Sequence, residues 1–125
     1  MGTFRVTIEV GDPAGSSYRE VSALVDTDAS YSQIPDSILR ALGVVPDSRR
    51  TFRVADGREV ERDVGETRVR LNGSSRMTVV VFGAEGSEAV LGAVTLEELG
   101  LAVDPLNRRL IPVPGLLMVA YSPPQ

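Results

Sequence analysis

Five consecutive residues carry most of the chemistry in this chain: Asp26, Thr27, Asp28, Ala29 and Ser30. They follow directly on the apolar run Ala23-Leu24-Val25, so their carboxylates lie where a strand opens into a loop. A carboxylate in that place can serve as a general acid or base, as a nucleophile, or simply as a partner for nearby backbone N–H groups. The remaining composition narrows the choice. The 125 residues include no His, no Cys and no Lys; all 13 basic residues are Arg, against 17 Asp and Glu, for a net charge of -4. This removes the Ser-His-Asp triad, thiol nucleophiles, disulfides and thiolate zinc sites. It also removes Schiff-base chemistry and lysine-bearing phosphate loops. Proton chemistry must come mainly from carboxylates, with Tyr and Arg assisting.

The elements that position this segment are mostly strands. Phe4, Val6, Ile8 and Val10 alternate with polar residues, which predicts a half-buried strand. Gly11 to Ser17 is turn chemistry, and Tyr18 to Val25 reads as the returning strand. Thr51 to Ala55, a two-residue turn at Asp56-Gly57, and Arg58 to Val64 predict a hairpin. Val69 and Leu71 alternate with Arg68 and Arg70 before a second turn signal at Asn72-Gly73. Met77 to Phe82, nearly all apolar, predicts a central strand covered on both faces. Two short helices are expected. Asp36 to Leu42 stops at Gly43, and Thr95 to Leu99, opening on a Thr95–Glu98 capping box, stops at Gly100. Apolar strand, small-residue loop, short helix and Leu-Gly thus occur twice, as a faint internal repeat.

With that frame, Ala23-Leu24-Val25-Asp26-Thr27-x-Ala29-Ser30-Tyr31-Ser32-Gln33-Ile34-Pro35 resembles the active-site segment of retropepsin-like, single-domain aspartic proteases, including bacterial homologues. Ala89-Val90-Leu91-Gly92 and its short helix resemble that family's second motif, which crosses behind the active-site loop. The resemblance implies an all-β, closed-barrel acid protease fold with one or two short helices, spanning residues 1–121, with a disordered tail at 122–125. It implies a homodimeric aspartic endopeptidase acting on a peptide or protein substrate, with one catalytic Asp26 per subunit. Thr27, Asp28, Ala29 and Ser30 form the active-site loop, Thr27 bonding across the dimer and Ser30 bonding Asp26. Val54, Ala55, Asp56, Gly57 and Arg58, within a ribbon from Val54 to Val60, form the flap. Leu91 and Gly92 are structural, and Leu116 to Ala120 contribute to a terminal dimer sheet.

Asp28 departs from the family, which carries Gly there. A glycine-only backbone would be strained by Asp, and the extra carboxylate stands beside the catalytic pair. The resemblance therefore leaves open an impaired protease-fold dimer that binds peptides without cutting them. Four carboxylates, Asp26 and Asp28 from two chains, could also hold a hard cation, although the family needs no metal or other cofactor. The Asp-x-Asp spacing also matches haloacid-dehalogenase-type phosphatases. Those generally use a downstream Lys or Arg and an acidic pair holding magnesium; this chain has no Lys, no such pair and too little helix.

The acidic balance speaks against nucleic-acid binding, with Arg49-Arg50 and Arg108-Arg109 read as isolated surface doublets. Asn72-Gly73-Ser74 reads as a turn and not as a glycosylation acceptor. With neither a leader-like start nor a membrane-length apolar run, a cytoplasmic protein without membrane contact is expected.

Overall fold

The computed structural model describes residues 3–115 and Leu117. Its nine strands and two short helices realise the period-two pattern closely. β1 (Phe4–Gly11) and β2 (Tyr18–Val25) form an antiparallel hairpin whose register runs from Phe4 opposite Val25 to Gly11 opposite Tyr18. Because opposed residues share a face, Ile8 and Val10 come to the same side as Val21, Ala23 and Val25, and all five are buried. The turn between them is tied by Asp12, whose carboxylate accepts from the Ser16 and Ser17 amides at 2.8 and 3.0 Å.

After β2 come β3 (Ser32–Pro35), α1 (Asp36–Ala41), β4 (Ser48–Arg53), β5 (Glu59–Leu71), β6 (Ser74–Gly83), β7 (Ala89–Leu91), α2 (Ala93–Glu98), β8 (Leu101–Asp104) and β9 (Arg109–Pro112). One seven-stranded sheet runs β1-β2-β7-β3-β6-β5-β4, and β1 also pairs with β5. That last pairing, Glu9 opposite Arg70 and Val10 opposite Val69, closes six strands into a barrel and leaves β4 outside as a ribbon on β5. A bidentate Arg70–Glu9 pair, both contacts 2.9 Å, straps the seam, with the guanidinium over the Tyr18 ring. The interior is built from Val, Leu, Ile and Phe82, including Ile34, Leu39, Val69, Val80 and Leu91. This is the all-β barrel with two short helices that the sequence implied.

The faint repeat is realised as a parallel pair. Ala23, Leu24 and Val25 of β2 lie opposite Ala89, Val90 and Leu91 of β7. α1 ends in a Schellman arrangement, with the Gly43 amide on the Arg40 carbonyl and the Val44 amide on that of Leu39.

Four local expectations change. The stretches Arg58–Val64 and Val69–Leu71 are one continuous strand, β5, because β6 pairs along it from Val64 to Leu71. Asp56-Gly57 is not a two-residue turn. Only Gly57 has positive φ, at 89°, and Val54 bonds Arg58, so three residues, Ala55 to Gly57, make the loop. The two-residue turn with positive φ at both central residues is Asn72-Gly73. In β6 the Val80–Phe82 end is buried, whereas Met77 is exposed, so only part of the Met77–Phe82 run is covered twice. Finally, α2 begins at Ala93 with Gly92 as its cap residue, which puts Thr95 inside the first turn and abolishes the capping box. The tail at 122–125 and the strand expected at Leu116–Ala120 lie outside the described residues, apart from Leu117, which is exposed.

Candidate active site

Asp26 is the first residue beyond β2, and its loop is shaped by its own carboxylate. The Asp26 carbonyl accepts from the Ala29 amide at 3.1 Å, and its Oδ1 accepts from the Asp28 amide at 3.0 Å. Together these close a tight turn over Thr27 and Asp28. Asp26 is half-buried, while Thr27, Asp28 and Ser30 are exposed. The backbone of Asp28 has no positive φ, so the strain feared from replacing glycine does not arise. What remains at position 28 is its charge.

The loop is held from behind by backbone alone. The Asp26 amide bonds the Leu91 carbonyl at 3.1 Å, extending the β2–β7 pairing by one step. The Ala93 amide then donates to the Ala29 carbonyl at 2.8 Å, and the Val94 amide to that of Ser30 at 3.0 Å. Both donors belong to the first turn of α2, whose amides have no partner within the helix. Gly92 is required by this closeness. A Cβ there would stand 2.7 Å from the carbonyl carbon and oxygen of Tyr31 and 3.0 Å from the Ala29 oxygen.

Beneath this clamp lies a buried polar chain that sequence reasoning missed. The Gly92 amide donates to Ser32 Oγ at 3.0 Å, and Ser32 Oγ lies 2.6 Å from Thr95 Oγ1. Thr95 Oγ1 lies 2.9 Å from Thr78 Oγ1, which donates to Glu98 Oε1 at 2.7 Å. A carboxylate only accepts, so every proton in the chain is assigned. Thr78 gives to Glu98, Thr95 to Thr78, and Ser32 to Thr95. The strands β3 and β6 and the helix α2 are thereby tied at one point. The available signal was parity: Ser32 shares its strand face with buried Ile34 and is itself buried.

The expected flap residues Val54 to Arg58 sit at the tip of the β4–β5 ribbon. Asp56 shapes that tip. Its carboxyl is held below the usual range by the Arg58 amide and then by the Arg58 guanidinium. One ribbon face carries Arg49, Arg53, Glu59, Glu61 and Asp63, joined as Arg49–Asp63 at 3.0 Å, Arg49–Glu61 at 3.8 Å and Arg53–Glu59 at 3.4 Å. Asp63 also meets Arg40 of α1 at 3.0 Å, which anchors the ribbon's stem. The opposite face meets Tyr31, at the end of the Asp26 loop. Phe52 packs edge-on against Tyr31 with ring centroids 6.3 Å apart, and the Arg50 guanidinium lies over both rings.

The structure thus brings Thr27, Asp28, Ala29, Ser30, Leu91 and Gly92 together around Asp26. It does not join Ser30 to Asp26 by a side-chain hydrogen bond; the Ser30 carbonyl is used by α2 instead. Among the described residues no three carboxylates cluster within one chain as a metal site would require, and no helix is long and apolar enough to cross a membrane.

Comparison with known proteins agrees with this geometry. A family profile described as aspartyl protease matches residues 6–95. Solved structures with the same fold include the simian foamy virus protease, 17% identical with a TM-score of 0.55, covering 77% of this chain and 94% of that one. The retroviral protease-like domain of Ddi1 from Leishmania major is 18% identical with a TM-score of 0.56, covering 89% and 88%. A retropepsin-like aspartic protease from Rickettsia conorii is 19% identical with a TM-score of 0.51, covering 83% and 89%. A search of curated proteins gives no match.

Proposed function

Because the chain belongs to the aspartyl protease family, we propose that it works as a homodimeric endopeptidase in which two copies of Asp26 form the catalytic pair. The observation that carries this reading is the backbone clamp on the Asp26 turn. The backbone that carries Asp26 is fixed by Leu91, Ala93 and Val94, and the Asp26 carboxylate accepts only from the Asp28 amide among the described residues, engaging no second acidic side chain. The repeat partner of the Asp26 segment is Leu91-Gly92, which offers no acid, so a dyad needs a second subunit and a two-fold axis.

Two carboxyl groups held about 3 Å apart do not both ionise, and the pair shares one proton. The ionised member takes a proton from water, the resulting nucleophile attacks the scissile carbonyl, and the protonated member donates to the carbonyl oxygen. Collapse of the tetrahedral adduct breaks the C–N bond, the departing amine takes the proton abstracted from water, and one adduct hydroxyl returns its proton to the carboxylate that had protonated the carbonyl oxygen, which restores the singly protonated pair. The pair titrates as a unit. Exposed Thr27 fits a bond across the two-fold axis, and the Val54–Arg58 tip fits a cover that excludes water from the bound peptide.

The test is hydrolysis of a broad peptide library by the wild-type chain and by Asp26→Asn, with sedimentation at micromolar concentration. The proposal expects a dimer, cleavage by the wild type, and loss of cleavage in a variant of unchanged fold. Activity that survives Asp26→Asn, or a 13.4 kDa species that cleaves peptides, overturns it. The exposed Asp28 carboxylate favours a second reading, a protease-fold dimer that binds peptides without cutting them. Peptide binding without hydrolysis in the wild type, with hydrolysis gained in Asp28→Gly, would establish that one.

A further inference from the structure

The two faces of the β4–β5 ribbon treat their arginines differently. On the face turned away from the active-site loop, Arg49 and Arg53 each have a carboxylate partner. On the other face, Arg50 of β4 lies directly opposite Arg62 of β5 in the antiparallel register. Like charges placed across a strand pair repel. Among the described residues, neither guanidinium forms an ion pair. Arg50 reaches the Tyr31 hydroxyl at 3.2 Å, and Arg62 the carbonyl of Glu61 at 2.9 Å. Neither acceptor is a carboxylate, so Arg50 and Arg62 keep their charge without an ion-pair partner in a chain of net charge -4.

The location gives that charge a purpose. Arg50 is stacked over Tyr31 and Phe52, at 5.2 and 5.4 Å from the ring centroids. Tyr31 directly follows Ser30 in the loop that holds Asp26. A planar guanidinium held against two rings and the Tyr31 hydroxyl loses little further freedom on binding a ligand, and its remaining N–H groups match a carboxylate. We propose that Arg50, with Arg62 beside it, selects an acidic side chain, Asp or Glu, in the substrate peptide at a fixed distance from the scissile bond. This rests on the peptidase reading above and adds the charge class of the substrate.

The experiment uses the full chain and a set of short peptides with an otherwise apolar core, in which a single position is Glu, Gln or Lys and that position is moved along the peptide. Cleavage is read as kcat/KM. In parallel, binding of the same fluorescently labelled peptides to Asp26→Asn is read by anisotropy. At one position the Glu peptide is expected to exceed the Gln peptide about tenfold, the size of one charge-assisted hydrogen bond. The ratio should fall to near one in Arg50→Gln, persist in Arg50→Lys and invert in favour of Lys in Arg50→Glu. Arg62→Gln, which leaves the Tyr31 stack intact, should reduce the ratio in part. An unchanged Glu-to-Gln ratio in Arg50→Gln, or no preference at any position, overturns the inference while leaving the peptidase reading standing. Should no peptide be cleaved, the peptidase reading fails. The anisotropy ratios then still decide the charge preference.

Discussion

Replacing Thr95 by Val tests the buried hydroxyl chain directly, because the two side chains have nearly the same shape and no cavity is made. Thr95 is fully buried, with Ser32 and Thr78 at 1% and 2% exposure. Its hydroxyl oxygen takes a proton from Ser32 at 2.6 Å and passes one to Thr78 at 2.9 Å. In the variant the Ser32 O–H faces a methyl group with no acceptor, and Thr78 keeps only its bond to Glu98. An unsatisfied buried donor costs about 1–3 kcal/mol and a lost hydrogen bond about 1 kcal/mol, so the expected loss is about 2–4 kcal/mol. That is a large part of the roughly 5–15 kcal/mol that stabilises a domain. The assay is urea unfolding at one fixed chain concentration, so that any self-association weighs equally on every variant. Ser32→Ala/Thr95→Val should cost less than the two single changes summed, by about 1 kcal/mol, because the orphaned donor has gone. Hydrogen exchange at the Gly92 amide should quicken in Ser32→Ala, where its acceptor is missing. A Thr95→Val variant within about 0.5 kcal/mol of wild type, within the range of neutral surface changes, would refute the assignment of these protons.

Gly92→Ala should be at least as damaging. Its new Cβ meets Tyr31 backbone at 2.7 Å, so the Asp26 loop must move, and activity should fall by more than stability does, as read by kcat/KM beside urea unfolding. Asp28→Gly should raise kcat/KM in the peptide assay, by removing a negative charge beside the proposed Asp26 pair; equal activity in the two proteins would remove any part for Asp28. Acid should weaken the fold through a few tied carboxylates. Asp12 is held low by the Ser17 amide and then by Ser16, Asp104 by the Asn107 side chain, and Glu9 by the Arg70 guanidinium. Each is more acidic folded than unfolded, so the stability it adds is present above the unfolded value of about 4 and is lost as pH falls through the lower folded value. Urea midpoints should therefore drop below about pH 4, and less steeply in Asp12→Asn.

Most of what places Asp26 was legible along the chain, because it depends on neighbours in sequence. Alternation gave β1 and β2, Gly43 and Gly100 gave the helix stops, and Val25-Asp26 gave the strand end. The paired segments at Ala23 and Ala89 were visible as a repeat, and the repeat became a parallel pair. What depended on residues far apart was hidden. The partner of Thr95 is Ser32, 63 residues away, and a capping box was the nearest local use for its hydroxyl. Only the position of Gly92 as cap residue decides between the two. Likewise Arg50 read as half of a surface doublet, since nothing local shows that it folds onto Tyr31, 19 residues earlier. The Asp56-Gly57 turn failed for a smaller reason. A hairpin accepts either a two- or a three-residue loop around that dipeptide, and the choice follows from the register of β4 on β5.

Barrel closure has a consequence for behaviour in concentrated solution. Pairing β1 with β5 at Glu9–Arg70 and Val10–Val69 joins the two ends of the six-strand sheet, and β4, which among the described residues pairs only with β5, is left as an open margin. That margin has six residues, and three of them are Arg. A second chain trying to extend the sheet there must bring its own backbone alongside three arginines, two of them held in ion pairs with β5 and one over the Tyr31 and Phe52 rings, and must displace or accommodate those side chains. The ribbon that stays unpaired on one side is thus guarded against indiscriminate strand addition. Neutralising Arg49, Arg50 and Arg53 together would leave that margin open to self-association.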